Sequence, residues 1–307
     1  MSHNLTVGPP VRLIVMFTLP LLLGNVFQQL YAVTDSIVVG RMIGVEALAA
    51  VGASGSLQFL LVGFAMGASA GVAIPVARAF GAHNLPRMRR AVAAGATISV
   101  GIAIAIFLIG TLGSGTLLTW MGTPAALMDD ARTFLTVLFS GAVATVAFNF
   151  LSAVIRALGD SRTPLTFLVV ACVLNGLLVV AFIGWFHMGV GGAALATIVA
   201  QAISVILCLI LIQRRMPELR LHREDWRFSS RELGEAARFG LTMGFQMSVI
   251  AIGAAVPVLL SALGANVSGK RTAFVYLLID VLGAVIWGVL FYGANALLHF
   301  SFLDMTM

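Results

Sequence analysis

Charge is scarce in this chain. Asp, Glu, Lys and Arg make up 10% of the 307 residues, while 60% are hydrophobic; a soluble domain carries about 25% charged residues. Mean hydropathy is +1.04. That excess of apolar surface excludes an ordinary soluble fold. Strict polar–apolar alternation is also missing, which excludes a transmembrane barrel, whose strands alternate lumen and lipid faces. Cysteine occurs twice, as Cys172 and Cys208 in separate apolar segments, so packing is expected and not a disulfide or a metal pair. The five histidines lack metal-ligand spacing. There is no P-loop, G-x-S-x-G or HExxH, so no metal site, cofactor or catalytic constellation is expected, and the chain does not read as an enzyme. No basic helix alternates with aromatics, which argues against nucleic acid despite a net charge of +6. The start, MSHNLTVGPPVRLIVMFTLPLLLG, lacks a basic n-region and a small-x-small cleavage site, and is expected to be a retained first helix.

What the chain does have is a series of apolar segments of about 20 residues or more, each long enough to span a bilayer as a helix. Eight are predicted, near residues 12–34, 46–77, 91–113, 131–155, 163–186, 190–213, 236–263 and 273–299. The expected fold is an all-α membrane protein. Basic residues gather in alternate loops: Arg78, Arg87, Arg89 and Arg90 after the second segment, IRALGDSRTP after the fourth, and QRRMPELRLHREDWRFSSRELGEAAR after the sixth. The positive-inside rule makes those loops cytoplasmic and, with them, the N-terminus, in a multi-pass protein of the inner or plasma membrane. GANVSGKRTA, with Lys270 and Arg271 between the last two segments, disobeys. The polar stretch 214–235 reads as a cytoplasmic connector, lying along the headgroups or simply solvated, that restarts as a helix near Arg231. Its SSRE run supplies a cap and a following carboxylate. It separates a six-helix unit, 1–213, from residues 236–307. Gly63, Gly67 and Gly71 stand four apart on one helix face, a spacing that permits close helix packing or a hinge. Pro20 and Pro75 lie inside spans, where a bend is expected.

The segment FQQLYAVTDSIVVG carries Asp35 within the first span. A charge at the bilayer centre costs about 3 kcal/mol or more, so a carboxylate there needs a reason. Gln28, Tyr31 and Asp35 are spaced three and four apart and share a face, which is expected to look into a cavity. Dry surroundings disfavour the ionised form of a carboxylate. Asp35 is thus expected to exchange a proton or, when ionised, to hold Na+; the structural alternative pairs it with Arg41. Asn175, Thr197 and Gln201 in the fifth and sixth spans are the candidate partners in one polar pocket, though each alone suits an interhelical hydrogen bond better than a ligand. Asn149 in the fourth span is ambiguous in the same way. Asp280 is a second intramembrane carboxylate.

Several stretches in order, FTLPLLLGNVFQQLYAVTDSIVVGRMIGVEALAAVGAS, GASAGVAIPVARAFGA, SAVIRALGDSRTPL, VLNGLLVV and GVGGAALATIVAQ, resemble the multidrug and toxic compound extrusion (MATE) family over about residues 1–250. The resemblance implies a six-helix lobe of a two-lobed, twelve-helix transporter that exchanges cationic or amphipathic compounds for H+ or Na+. It implies roles for Asp35, Asn175 and Thr197, which match the family's acidic and polar positions. Many members carry a carboxylate one turn after that asparagine; Val179 stands there, which favours a single protonatable acid over a Na+ site. Eight spans leave the second lobe almost wholly absent, so a homodimer is expected to complete the cavity. From about Ile252 the chain resembles a Na+/phosphate cotransporter repeat, without that family's glutamine–serine signature, which implies a chimera. The functional expectation is H+-coupled multidrug efflux. Phosphate cotransport through the tail, or a non-transporting membrane scaffold or fusion, are the alternatives.

Overall fold

The computed structural model describes residues 10–262, and every long element in them is helical. The order is α1 (Pro10–Met42), α2 (Val45–Gly81), α3 (Leu85–Trp120), α4 (Ala125–Ser140), α5 (Ala142–Ala157), α6 (Arg162–Gly184), α7 (Gly189–Arg215), two 3-10 turns at Pro217–Leu219 and Arg223–Trp226, and α8 (Ser230–Ala262). The chain divides into two compact units, residues 1–247 and 248–307. Of the second, only the end of α8 is described. The eighth expected span, Asp280 and the Lys270–Arg271 loop lie outside the described residues.

Among the described residues, α2, α3, α6 and α7 are each long and apolar enough to cross a membrane, and α4 and α5, bent by 52° at their junction, are so only when taken together. The pair corrects the continuous helix expected over 131–155. The break falls at Gly141, whose backbone leaves helical geometry at φ −92°, ψ 13°. Glycine weakens a helix by about 1 kcal/mol relative to alanine, and here the tertiary structure exploits it. Ile198 of α7 sits where a Cβ at Gly141 would go, and Phe139 presses in the same way on Gly110 of α3. Any larger residue at Gly141 would push α7 off the bend.

The connections follow from local chemistry. Asn84 caps α3 by accepting from the Arg87 amide at 3.0 Å, with proline in the first turn. Asp160 accepts from the amides of Arg162 and Thr163, each at 3.0 Å, and so opens α6. The preceding Gly159 has φ 86°, a conformation glycine adopts without strain. Ser229 and Glu232 cap α8 reciprocally: the Ser229 amide donates to Glu232 Oε2 at 2.8 Å, and the Glu232 amide to Ser229 Oγ at 3.3 Å.

α1 packs on α6 and α2, α6 on α7, and α2 on α3, α4 and α5, while α4 and α5 close against α7. The interior has two apolar clusters. One surrounds Val39, Leu57, Phe134, Leu135 and Val179; the other surrounds Val76, Met88, Phe150, Ile155 and Ile212 towards the connector. Alanine and glycine fill much of the space between helices, as expected where association depends on close backbone approach and not on the hydrophobic effect. The glycine ladder on α2 is only partly used. Gly67 abuts the Met243 carbonyl and Gly71 the Phe239 carbonyl of α8, whereas a Cβ placed on Gly63 would meet nothing within 4 Å. Both cysteines are free.

The basic residues collect at the connector end. Arg89 Nε donates to the Glu218 carbonyl at 3.0 Å and Nη2 to the Pro217 carbonyl at 3.2 Å. Arg90 pairs with Glu232 at 3.4 Å and Arg78 with Glu235 at 3.6 Å. Arg78 also lies over the Phe239 ring, 4.9 Å from its centre. The start of α3 thus clasps both the connector and the start of α8.

Candidate cation-coupling site

Asp35 stands on α1 where α6 and α7 converge. Asn175 of α6 donates from Nδ2 to Asp35 Oδ1 at 2.6 Å. Thr197 Oγ1 of α7 lies 3.5 Å from Asp35 Oδ2, 3.5 Å from Asn175 Oδ1 and 3.3 Å from the Ala193 carbonyl of its own helix. Asn175 is 1% exposed and Thr197 8%. The two carboxylate oxygens are therefore unequally held. Oδ1 accepts a short bond from a fixed amide. Oδ2 shares one hydroxyl hydrogen with two other acceptors, all at or near the outer limit of a hydrogen bond. Chemically, Oδ2 is the free end: a proton or a small cation can engage it without first displacing Asn175.

Three features frame this cluster. Tyr31 lies one turn before Asp35, and its buried hydroxyl has no hydrogen-bond partner, so a polar donor is held ready beside the carboxylate. Val179, one turn after Asn175, is fully buried and makes that wall apolar. Close packing of α1 on α6 brings Gly24 against Leu165 and Leu168, and Gly176 against Thr34, which is why the Asn175 amide can reach across. Arg41 is exposed. Among the described residues no ion pair joins it to Asp35, so the carboxylate is held by amide and hydroxyl groups.

The sequence grouped six residues; the structure brings four together. Asp35, Tyr31, Asn175 and Thr197 share the cluster. Gln28 is exposed on α1, and among the described residues it has no hydrogen bond to that cluster. Gln201 turns to α5 instead: its Oε1 accepts from Thr145 at 2.6 Å, and Asn149 Nδ2 donates to the Thr145 carbonyl at 2.9 Å. Thr145, Asn149 and Gln201 thus form a second polar knot that ties α5 to α7. Thr145 went unnoticed in the sequence because a lone threonine in an apolar helix ordinarily bonds its own backbone. Among the described residues no three His, Cys, Asp or Glu side chains cluster as metal ligands.

Comparison with known proteins bears on the whole lobe. The MatE family model matches residues 20–180. The probable multidrug resistance protein YpnP of Bacillus subtilis is 31% identical over 251 residues, which are 81% of this chain and 56% of YpnP. The probable multidrug resistance protein YoeA of the same organism is 30% identical over 217 residues, 69% of this chain and 47% of YoeA. The chain spans about half the length of these relatives. A crystal structure of MATE in the straight conformation superimposes with a TM-score of 0.71 at 21% identity, covering 96% of this chain and 76% of that one. None of these similarities supports the expected chimera with a Na+/phosphate cotransporter repeat from about Ile252, and the short stretch around GAN and KRTA is too little sequence to carry a family. The helical architecture, the span order and the family model agree, and the chain belongs to the MatE family of multi-pass membrane transporters, which are not enzymes.

Proposed function

We propose that this lobe serves multidrug efflux by antiport, with a cationic or amphipathic xenobiotic leaving as H+ enters, and that Asp35 is the group that exchanges the proton. The observation that carries this reading is the asymmetric grip on Asp35: one oxygen fixed by Asn175 at 2.6 Å, the other only loosely engaged by Thr197. Protonating Oδ2 converts an acceptor into a donor and removes a charge, so the bonds that join α1 to α6 and α7 must rearrange. A change at one atom is thereby passed to three helices. Na+ coupling is the competing form of the same reading. Val179 disfavours it, because it places a hydrocarbon wall where a further oxygen would complete a cation's coordination.

Basic residues of the α2–α3 and α7–α8 connections meet at one end of the bundle. This supports a cytoplasmic connector and N-terminus in the cell membrane. Transport by the full protein, and the homodimer expected from the sequence, belong to the same proposal; cross-linking in membranes reads the latter.

The test is efflux of a fluorescent lipophilic cation from vesicles, with pH and Na+ gradients imposed separately. The expected result is efflux driven by the pH gradient alone and lost in Asp35→Asn, which keeps the shape and one acceptor but cannot exchange the proton. Efflux driven only by Na+ would assign the other ion. Undiminished pH-driven efflux in Asp35→Asn would remove Asp35 from the mechanism.

A further inference from the structure

Away from Asp35, an apolar groove of about 270 Å³ opens between α3, α5 and α7. Its walls run from Val92 to Ala103 on α3, from Val143 to Val154 on α5 and from Val205 to Ile212 on α7. At 1.5 Å per residue these walls are roughly 10–16 Å long. That matches one leaflet, about half of a hydrocarbon core roughly 30 Å thick. The side facing outward is exposed: Val100 is 56% and Val143 59% accessible. The connector closes the other end, with Leu219, Leu221 and Trp226 as the rim. Trp226, half exposed, has the amphipathic character of residues placed at the headgroup level.

The rim is also where charge is concentrated. Arg220, Arg223 and Arg227 flank those three residues, and all are exposed. Arg220 Nε is anchored on the Gln213 carbonyl at 2.8 Å, which fixes its position beside Ile212 at the groove's end. Among the described residues none of the three arginines pairs with a carboxylate. Asp225, the carboxylate best placed to compete, is occupied: it accepts from the His222 amide at 2.7 Å and faces the His222 ring at 3.6 Å. Glu218 and Glu224 remain, so cations outnumber free carboxylates at the rim.

We propose that this groove is a binding site for an anionic phospholipid of the connector-side leaflet, with one acyl chain lying between α3, α5 and α7 and the phosphate held by Arg220, Arg223 and Arg227. The wall length fits an acyl chain within one leaflet, the lining is apolar apart from the Ser99 hydroxyl and the Trp226 indole at the rim, and three arginines favour a headgroup of net negative charge over one whose choline offsets its phosphate. Such a lipid would staple the connector to the bundle. The site does not depend on the role of Asp35.

The experiment uses the full 307-residue chain in vesicles, with Trp120, Trp185 and Trp287 changed to Phe so that Trp226 alone is read. Phosphatidylglycerol and phosphatidylcholine with the same brominated acyl chain are compared as quenchers at equal mole fraction. Phosphatidylglycerol should quench more strongly, with a preference of roughly fivefold for each arginine that meets the headgroup. Arg220→Gln, Arg223→Gln and Arg227→Gln together should abolish the preference. Ala96→Leu with Ala147→Leu, which fill the groove, should abolish quenching by bromines deep in the chain. Equal quenching by the two lipids would overturn the proposal, as would a preference that survives the arginine changes or deep quenching that survives the filled groove. Displacement by tetraphenylphosphonium would assign the groove to a lipophilic cation instead. If the filled variant does not fold, native mass spectrometry of the unchanged chain decides: selective retention of phosphatidylglycerol supports the site, and equal loss of both lipids rejects it.

Discussion

Replacing Asn175 by Ala and, separately, Thr197 by Val should give unequal losses of transport, and the distances set the order. The Asn175 amide donates to Asp35 at 2.6 Å, whereas the Thr197 hydroxyl stands 3.5 Å from the other oxygen and has a nearer acceptor, the Ala193 carbonyl at 3.3 Å. A well-formed hydrogen bond to a charged group contributes about 1.5–3 kcal/mol. At 1.36 kcal/mol per factor of ten, Asn175→Ala should slow pH-driven cation efflux by roughly 10- to 150-fold. Thr197 divides one hydrogen among three distant acceptors, and a bond at the weak end of the ordinary range contributes about 0.5 kcal/mol. Thr197→Val, similar in shape, should therefore cost about twofold or less. The assay is the initial rate of fluorescent-cation efflux from vesicles at matched protein density and fixed pH gradient, with folding checked by thermal melting in detergent. If Thr197→Val proves as damaging as Asn175→Ala, or the order is reversed, the asymmetric grip on Asp35 is not how the carboxylate is held during transport.

Other expectations follow from packing and the connector. Gly71→Leu would force a side chain against the Phe239 carbonyl of α8 and should destabilise the lobe by about 1–3 kcal/mol or more, whereas Gly63→Ala, with nothing within 4 Å, should leave the melting temperature unchanged; equal effects would refute the assigned crossing. Arg89→Ala removes the two bonds to the Pro217 and Glu218 carbonyls and should expose residues 216–229 to limited proteolysis; an unchanged cleavage rate would show that the clasp is idle. Gln201→Leu orphans the Thr145 hydroxyl, an unsatisfied buried group worth about 1–3 kcal/mol. It should lower thermal stability while leaving the ion dependence of efflux intact, and a changed coupling ion would place Gln201 back with Asp35.

How much of this was legible in the chain can be judged residue by residue. The apolar segments up to α7 were readable because hydrocarbon thickness fixes the length of a spanning helix whatever its neighbours. Asp35 stood out for the same reason: its cost is set by the bilayer and demands a partner. Asn175 and Thr197 were singled out as polar groups in otherwise apolar helices, and the resemblance to a known family tied them to Asp35. The rest was not written locally. Gly141 is one of 32 glycines, and only Ile198, brought against it by α7, makes it the break. Thr197 and Gln201 are one turn apart on α7, yet one meets Asp35 and the other meets Thr145. Gly63 shares its spacing with Gly67 and Gly71 but lacks their neighbour. The rim arginines were visible as connector charge, but the groove they border exists only where α3, α5 and α7 diverge.

The sequence by itself therefore determined that this is a helical membrane protein, where most of its spans lie, and that a carboxylate stands within the first of them, since each of these follows from the exchange of single residues between water and hydrocarbon. Tertiary structure alone decided which polar groups meet, which glycines are pressed by a neighbouring helix, and which oxygen of Asp35 is left free. Helical periodicity gives every residue a direction, but the helix it faces is fixed only when the bundle closes.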